Sequence, residues 1–431
     1  MNKFKGKKVA VIGLGIEGLD AINYLISQDA IVTLLDKKAE SEIDFNGIDK
    51  NDIEIIAGEN YLSNLDEYEY LVRSPGVYRF LPEIVEAETK GLIVTSAVKI
   101  FFDECKAKVI GITGTKGKGT TSTLIYEILK ADGQDIYLAG NIGKPYLELL
   151  PKLSSNSFVV MEMSSFQLID LDKSPHISVV LNITSDHMDW HLDINEYIKA
   201  KKNIVSHQIE SDFAVINEEY KVSKSFGSET KGNVVFFSKQ KLDNKFKEKL
   251  LLRGEHNLEN IAAAVSVSKI LNIDDKKTIS VLQAFKGLEH RLELVAEVDG
   301  KTFYNDSFAT GPDATIAAIN SFTEPITIIL GGSDKGLGYS ELGKVIGQKD
   351  NLKNVILIGD IGQKIGNHIN GKNLINLGHD TMIRIVEAAT KVTEKGGVVI
   401  LSPAAASFDM FKNYKDRGNQ FKESVLKLKN V

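Results

Sequence analysis

VIGITGTKGKGTT, residues 109–121, is the stretch whose reading decides the fold. The apolar run 109–112 predicts a short strand. Gly114, Gly117 and Gly119, with Lys118 among them, predict a tight loop, and residues 120–129 carry a helical pattern. A strand, a glycine-rich turn and a helix start gather backbone N–H groups around one point, at the positive end of a helix dipole. Glycine lets the backbone approach a polyphosphate closely, and a lysine adds a point charge to its outer phosphates. The alternative is an ordinary α/β turn, but strand, loop, lysine and hydroxyl-bearing helix start agree on a triphosphate, with ATP the expected one. One position departs from the usual motif. Gly119 stands where a Ser or Thr hydroxyl normally reaches Mg²⁺, and the hydroxyls come later, at Thr120 and Thr121. Metal ligands are therefore expected elsewhere in the chain.

A chain of 431 residues is too long for one core and predicts two or three domains. A net charge of −6 argues against a general nucleic-acid surface, so no nucleic-acid partner is expected. Cys105 is the single cysteine, which excludes an intrachain disulfide and a multi-cysteine zinc site and fits a reducing compartment. The opening MNKFKGKKVAVIGLG enters a strand without a signal-peptide pattern, and no apolar run is long enough for a bilayer. A cytoplasmic protein with no membrane partner is expected.

Before the loop, residues 8–12, 31–36, 54–57, 70–73 and 92–95 read as strands separated by helical patterns, hence as parallel βαβ units. The first turn, Gly13-Leu14-Gly15-Ile16-Glu17-Gly18, with Asp36 ending the second strand, is nearly a full dinucleotide fingerprint. It points to a phosphate-bearing nucleotide without saying which. Ser74-Pro75-Gly76 is a second turn on the same edge, by itself a plain loop. After the loop, strands at 158–161, 177–181 and 213–216 run into Glu162, then residues 182–191, then Asn217. Ligands in open parallel sheets bind beyond the carboxyl ends of the strands, so these polar residues and the loop should converge on one crevice. A third α/β segment has strands at 302–304, 326–330, 354–358 and 397–401, and a helix over 408–428 with an apolar stripe of Phe408, Phe411, Phe421, Val425 and Leu428. The expected architecture is α/β in three domains. Residues 1–97 are Rossmann-like, 98–287 form a central P-loop mononucleotide-binding domain, and 288–431 are again Rossmann-like.

A triphosphate brings Mg²⁺, which takes oxygen ligands from one or two carboxylates. Glu162 sits where a Walker-B acid would. Asp186, His187, Asp189 and His191 are either a metal cluster or ordinary loop polarity. Lys199, Lys201 and Lys202 read by spacing as a solvated basic face. Asn257 and Asn260 lie three apart on one helix face and suit an adenine edge, although N-capping explains one of them. Arg291 is either a γ-phosphate contact or half of a surface ion pair.

Taken in order, these segments resemble the Mur ligase family over nearly the whole chain, in the branch that adds glutamate to UDP-N-acetylmuramoyl-L-alanine. The resemblance rests on the Gly13–Gly18 turn with Ser74-Pro75-Gly76, on GITGTKGKGTT, and on Gly140-Asn141-Ile142-Gly143. It continues through MEMSSFQL, NITSDHMDWH, GEHNLEN, GLEHRLE, NDSFAT and LSPAAASFDMFKNYKDRG. It implies that the first domain binds UDP rather than NAD, with Gly15, Ile16, Asp36 and Lys37 near it and Ser74 and Asn141 near the sugar. It implies that Thr115, Lys118 and Thr120, with the glycines Gly117 and Gly119, hold ATP phosphates. Asn257, Asn260 and Asp306 would surround adenosine, and Arg291 would reach the γ-phosphate. Glu162 and His187 match metal ligands, with Thr120 beside them. Lys201 matches a lysine carried as a carbamate, an anion able to bind metal. Thr310, Lys335, Ser407, Phe408 and Tyr414 match positions around the incoming glutamate. The implied reaction is ATP-dependent amide formation through an acyl phosphate, by a monomer acting in peptidoglycan precursor synthesis. Lys118, Glu162, His187 and Lys201 would carry the chemistry.

Three positions depart from the family. Gly119 is a feature of the folylpolyglutamate synthase branch, which lacks a domain ahead of its P-loop; Lys116 replaces a common Asn; and Phe308 stands where a lysine is common. A charge-assisted bond to a carboxylate is worth about 1.5–3 kcal/mol. The loss of that lysine therefore leaves open D-glutamate, L-glutamate or another amino acid. An NAD-dependent oxidoreductase accounts for the first domain but not for the P-loop, Glu162 or the paired asparagines. A P-loop ATPase acting as a conformational switch would hydrolyse ATP without an acceptor.

Overall fold

The apolar runs of the sequence become seventeen strands in a computed structural model that describes residues 3–45, 47–140 and 143–428. They form three α/β domains, one sheet each. The first sheet joins β1 (Lys8–Ile12), β2 (Ile31–Asp36), β3 (Glu54–Ala57), β4 (Tyr70–Arg73) and β5 (Ile93–Ser96), all parallel, in the order β3-β2-β1-β4-β5. The second joins β6 (Lys108–Thr113), β7 (Ile136–Gly140), β8 (Phe158–Glu162), β9 (Ile177–Val180), β10 (Phe213–Asn217) and β11 (Asn233–Phe237), in the order β11-β10-β9-β6-β8-β7. From β6 the chain first fills one side of the sheet and then the other. Its carboxyl end is therefore the switch point where such sheets open a crevice.

By contacts the chain divides into two compact units. The first holds both of these sheets, reaching Leu242 and adding Glu259–Thr278. One apolar core runs through it: Val9, Val11 and Val32 of the first sheet join Val159, Met161 and Val180 of the second by way of Phe101, Tyr146 and Leu147. Burying each of these large side chains contributes about 1.5–3 kcal/mol. The helix Ile16–Ser27 adds a polar clamp. The buried Asp20 carboxylate accepts the N–H groups of Leu147 (2.9 Å) and Glu148 (3.1 Å), and burial pushes its acid form up to about 6. Glu17, one turn earlier, accepts from the Tyr146 hydroxyl and from Gln167.

The second unit, Asp243–Leu258 with the chain from Ile279, holds β12 (Glu293–Val298), β13 (Lys301–Asn305), β14 (Ile326–Gly331), β15 (Leu352–Ile358), β16 (Asn373–Gly378) and β17 (Val398–Leu401). Their order is β12-β13-β17-β14-β15-β16, parallel except for the antiparallel β12–β13 pair. Central strands such as β14 and β17 are buried along their whole length. They alternate between a core with Ile328, Leu330 and Ile400 and one with Ile329, Val399 and Leu401. Both faces are covered, which is why these strands read as unbroken apolar runs.

The last helix corrects the sequence expectation. It spans Tyr414–Leu428, opened by Asn413, whose side chain accepts the Asp416 N–H at 3.0 Å. Phe411, Phe421, Val425 and Leu428 pack on the sheet as expected. Phe408 precedes the helix on a turn and is 74% exposed, so it is not part of the stripe.

Candidate functional site

The loop after β6 is shaped by its glycines. Gly114 and Gly117 have φ of +155° and +89°, where side chains are strained. A Cβ at Gly114 would lie 2.7 Å from Leu181 Cβ, and one at Gly117 would collide with Asn260 Oδ1. Gly117 caps the helix Lys118–Ala131, which begins two residues earlier than its pattern suggests. Thr115 pins the loop to the segment after β9. Its N–H donates to Asn182 O at 2.7 Å, and its hydroxyl bridges Thr184 and Tyr197. Lys118 folds back, its Nζ donating to Gly114 O (3.0 Å) and Thr115 O (3.1 Å). Thr121 donates to Asn260 Oδ1 at 3.2 Å, whereas the Thr120 hydroxyl makes no hydrogen bond among the described residues.

Lys201 does not belong to a solvated face. On the helix Ile194–Ser206 it is 2% exposed, while Lys199 is exposed and Lys202 pairs with Glu229. Its Nζ donates to Thr113 Oγ1 and Gly114 O, both at 3.2 Å, directly behind the loop. Burial, and after it the charge of Lys118, holds this amine well below the usual lysine range; Asp186 and Glu162 act in the opposite direction without forming an ion pair with it. Glu162 ends β8 beside β6, and Asn182 follows β9 on the other side, its Oδ1 buried with no donor. Loop, Glu162, Asn182 and Lys201 thus converge as the strand ends predict.

The two histidines separate. His191 is buried, with Nδ1 at 2.9 Å from Glu196 and Nε2 at 2.9 Å from Ser165, so both ring nitrogens are used; burial lowers its pKa. His187, in a left-handed turn (φ +56°), stays half exposed, 4.8 Å from the Phe166 ring and 3.6 Å from Asp186. Of the pair, only His187 is open to a ligand.

In the first domain, Ser74 Oγ donates to Gly13 O at 2.8 Å, locking the two turns together. Arg73, 1% exposed, ties the second turn to the central domain through Val77 O, Phe166 O and Asp170. Asp36 accepts the N–H groups of Leu14 and Lys38, so its carboxylate organises the first turn. Gly15 caps the following helix, Ile16 is 76% exposed at its start, and Lys37 is exposed. Asn141 lies outside the described residues.

Asn257 and Asn260 share the helix Glu255–Ile270. Asn260 belongs to the first unit and abuts the P-loop, while Asn257 belongs to the second and donates to Arg253 O at 2.6 Å.

In the second unit, Arg291 forms no ion pair among the described residues. Its guanidinium lies over the Phe308 ring at 4.0 Å, and Phe308 meets Tyr414 edge-on at 5.1 Å. Asp306 is buried, accepting from Ser402 Oγ (2.7 Å) and Leu292 N–H (3.1 Å), and burial pushes it up to about 7. Thr310 follows on the same loop, Lys335 is exposed after β14, and Ser407 is buried, its carbonyl accepting the Phe411 N–H. Arg417 was missed from sequence. It is 0% exposed, burial lowers it to about 10, and it donates to Ser307, Ala405 and Ala406, fixing both loops. The first-unit scaffolding of Arg73 and the Thr121–Asn260 bond was missed as well. Only the loop glycines hinted at such close neighbours.

Comparison with known proteins gives the same order of parts. Residues 7–96 match the family described as Mur ligase MurD-like, N-terminal domain; 112–268 match the Mur ligase middle domain; and 290–405 match the Mur ligase glutamate ligase domain. The UDP-N-acetylmuramoylalanine–D-glutamate ligase of Acetivibrio thermocellus is 40% identical over 98% of this chain and 97% of its own. The enzyme of the same name from Clostridium tetani is 39% identical over 99% of both. Among solved structures, the MurF ligase of Thermotoga maritima in complex with ADP has a TM-score of 0.58 at 19% identity, covering 98% of this chain and 96% of its own, a likeness of fold. With all three domains matched in order and relatives of this identity along almost its full length, the chain belongs to the Mur ligase family.

Proposed function

We propose that this chain is an ATP-dependent ligase joining D-glutamate to UDP-N-acetylmuramoyl-L-alanine in peptidoglycan precursor synthesis. The observation that carries the reading is the cluster at the carboxyl end of the central sheet. There a P-loop lysine, an unligated Thr120 hydroxyl, Glu162 and a buried lysine without an anionic partner lie around one switch point. The identity to enzymes of that name supplies the substrates. The need for ATP and a UDP-linked acceptor supports a cytoplasmic reaction.

The residues fit ATP and Mg²⁺. Asn182 Oδ1 is an orphaned acceptor at the site, and Glu162, His187 and Thr120 offer the hard oxygen and imidazole donors that Gly119 cannot replace. Burial lowers the Lys201 pKa and so favours the free amine, the form nucleophilic toward CO₂, and Lys201 as a carbamate supplies a further oxygen donor. ATP supplies the phosphoryl group that turns the alanyl carboxylate into an acyl phosphate, with Mg²⁺ screening its charge. Lys118 leaves its two loop carbonyls for the phosphates, and the loop N–H groups hold them in line. Asn260 positions the loop through Thr121 and Gly117, and Asn257, Asp306 and Arg291 serve the nucleotide. Gly15, Ile16, Asp36, Lys37, Ser74 and Asn141 hold the UDP-sugar. Thr310, Lys335, Ser407, Phe408 and Tyr414 receive the amino acid, whose amine displaces phosphate from the acyl phosphate.

The test is ADP release with UDP-N-acetylmuramoyl-L-alanine and a panel of D- and L-amino acids. The expected result is turnover that requires both the acceptor and D-glutamate. Phe308, in place of a cation, makes L-glutamate the informative second arm. Turnover with no glutamate isomer would refute the reading.

A further inference from the structure

Next to the Ser407–Phe408 turn, three further side chains meet at the carboxyl edge of the C-terminal sheet. Asp360 follows β15, His379 follows β16, and Asp409 lies in the turn after β17. One ligand atom from each lies within 4.8 Å of the other two. His379 Nε2 is 3.0 Å from Asp360 Oδ1 and 3.9 Å from Asp409 Oδ2. An exposed histidine–aspartate pair needs no special explanation. Asp409 does. Its side chain is 2% exposed; Oδ2 accepts the Asp360 N–H at 3.1 Å, and Oδ1 is buried with no donor. Gly359, at φ +66°, leaves the space this carboxylate fills, since a Cβ there would overlap Asp409 Oδ2. Arg417 lies near enough to feel the Asp409 charge, but its N–H groups go to Ser307, Ala405 and Ala406. Oδ2 is the oxygen near His379, and with Oδ1 unpartnered among the described residues the buried carboxylate is only half satisfied beside an imidazole and a second carboxylate, a donor set able to take a cation.

We propose that Asp360, His379 and Asp409 form a site for a divalent transition metal in the C-terminal domain. One imidazole and two carboxylates suit Zn²⁺, Mn²⁺ or Co²⁺ better than Mg²⁺ or Ca²⁺, because the hard cations prefer oxygen ligands. Asp409 is the fixed ligand. Asp360 and His379, half exposed on loop ends, complete the site with water. Asp409 adjoins Phe408 and lies two residues from Ser407, so a bound ion would hold that turn in place. The site is independent of the ligase reading and would stand if that reading failed.

The experiment titrates the full-length protein with CoCl₂, read by visible d–d absorption, and with ZnCl₂, read by calorimetry, in the absence of ATP. A His187→Ala background weakens metal binding in the first unit. The expected result is one equivalent bound in that background. His379→Gln, a change at an exposed position, should weaken it by at least about tenfold. Asp409→Asn should do the same if it folds, as judged by far-UV circular dichroism. No binding up to millimolar CoCl₂ in the His187→Ala protein, or unchanged binding after His379→Gln, would overturn the proposal.

Discussion

Burial shifts both Asp306 and Lys201 toward their uncharged forms, and each ties stability to pH. Asp306 is raised from 3.8 to about 7, mainly by burial. The folded state therefore holds a proton that the unfolded chain releases. The advantage is complete below pH 3.8 and is lost as pH rises to about 7. Asp306→Asn should flatten the fall in second-unit stability across that window, by roughly 4 kcal/mol at most from the size of the shift. Chemical denaturation at a series of pH values measures it, and an unchanged slope would contradict the account. Lys201 has the opposite sign. Its pKa is depressed, so the unfolded chain takes up a proton that the folded one resists, and stability rises with pH toward the ordinary lysine range. Lys201→Met should stabilise the first unit by on the order of 1–3 kcal/mol while lowering ADP release roughly a hundredfold or more. Lys201→Ala should recover part of its activity with a small added carboxylate if the side chain acts as a carbamate. Full activity in untreated Lys201→Ala would end that role.

At the scale of elements, the P-loop was the most legible part of the chain, because apolar strand, glycine loop and helix follow one another within a few residues. Its partners were not. Thr121 and Asn260 meet across a sequence separation of 139, and Lys201 reads as one of several surface lysines because spacing carries no burial. Resemblance to a family singled out Lys201; periodicity did not. The strands missed from sequence were β7, β11, β12 and β16, and all of them are sheet edges. Edges are half exposed; Asn373–Gly378 breaks its apolar residues with asparagines, whereas Ile136–Gly140 and Asn233–Phe237 carry short apolar runs that the sequence reading passed over. The central strands around the candidate site were legible for the converse reason. Gly117→Ala tests the loop as an element. It places a side chain at φ +89° and against Asn260, at a cost of about 1–3 kcal/mol in local strain. The KM for ATP should rise at least about tenfold, checked by steady-state ADP release. An unchanged KM would mean that Asn260 and the loop are not set against each other during catalysis.

At the scale of the whole molecule, three α/β sheets follow the order of the three matched Mur ligase domains, and the proposed function gives one reactant to each. An ATPase switch of similar fold would hydrolyse ATP on its own, and a dinucleotide enzyme would leave the P-loop cluster without a task. The central claim is narrower than either: the loop after β6 delivers the γ-phosphoryl group to a substrate carboxylate. Positional isotope transfer measures this directly. With UDP-N-acetylmuramoyl-L-alanine labelled with ¹⁸O in its alanyl carboxylate, together with ATP and D-glutamate, mass spectrometry of the released phosphate should find one ¹⁸O atom per turnover. Unlabelled phosphate, with all of the label retained in the substrate or product, would contradict the account.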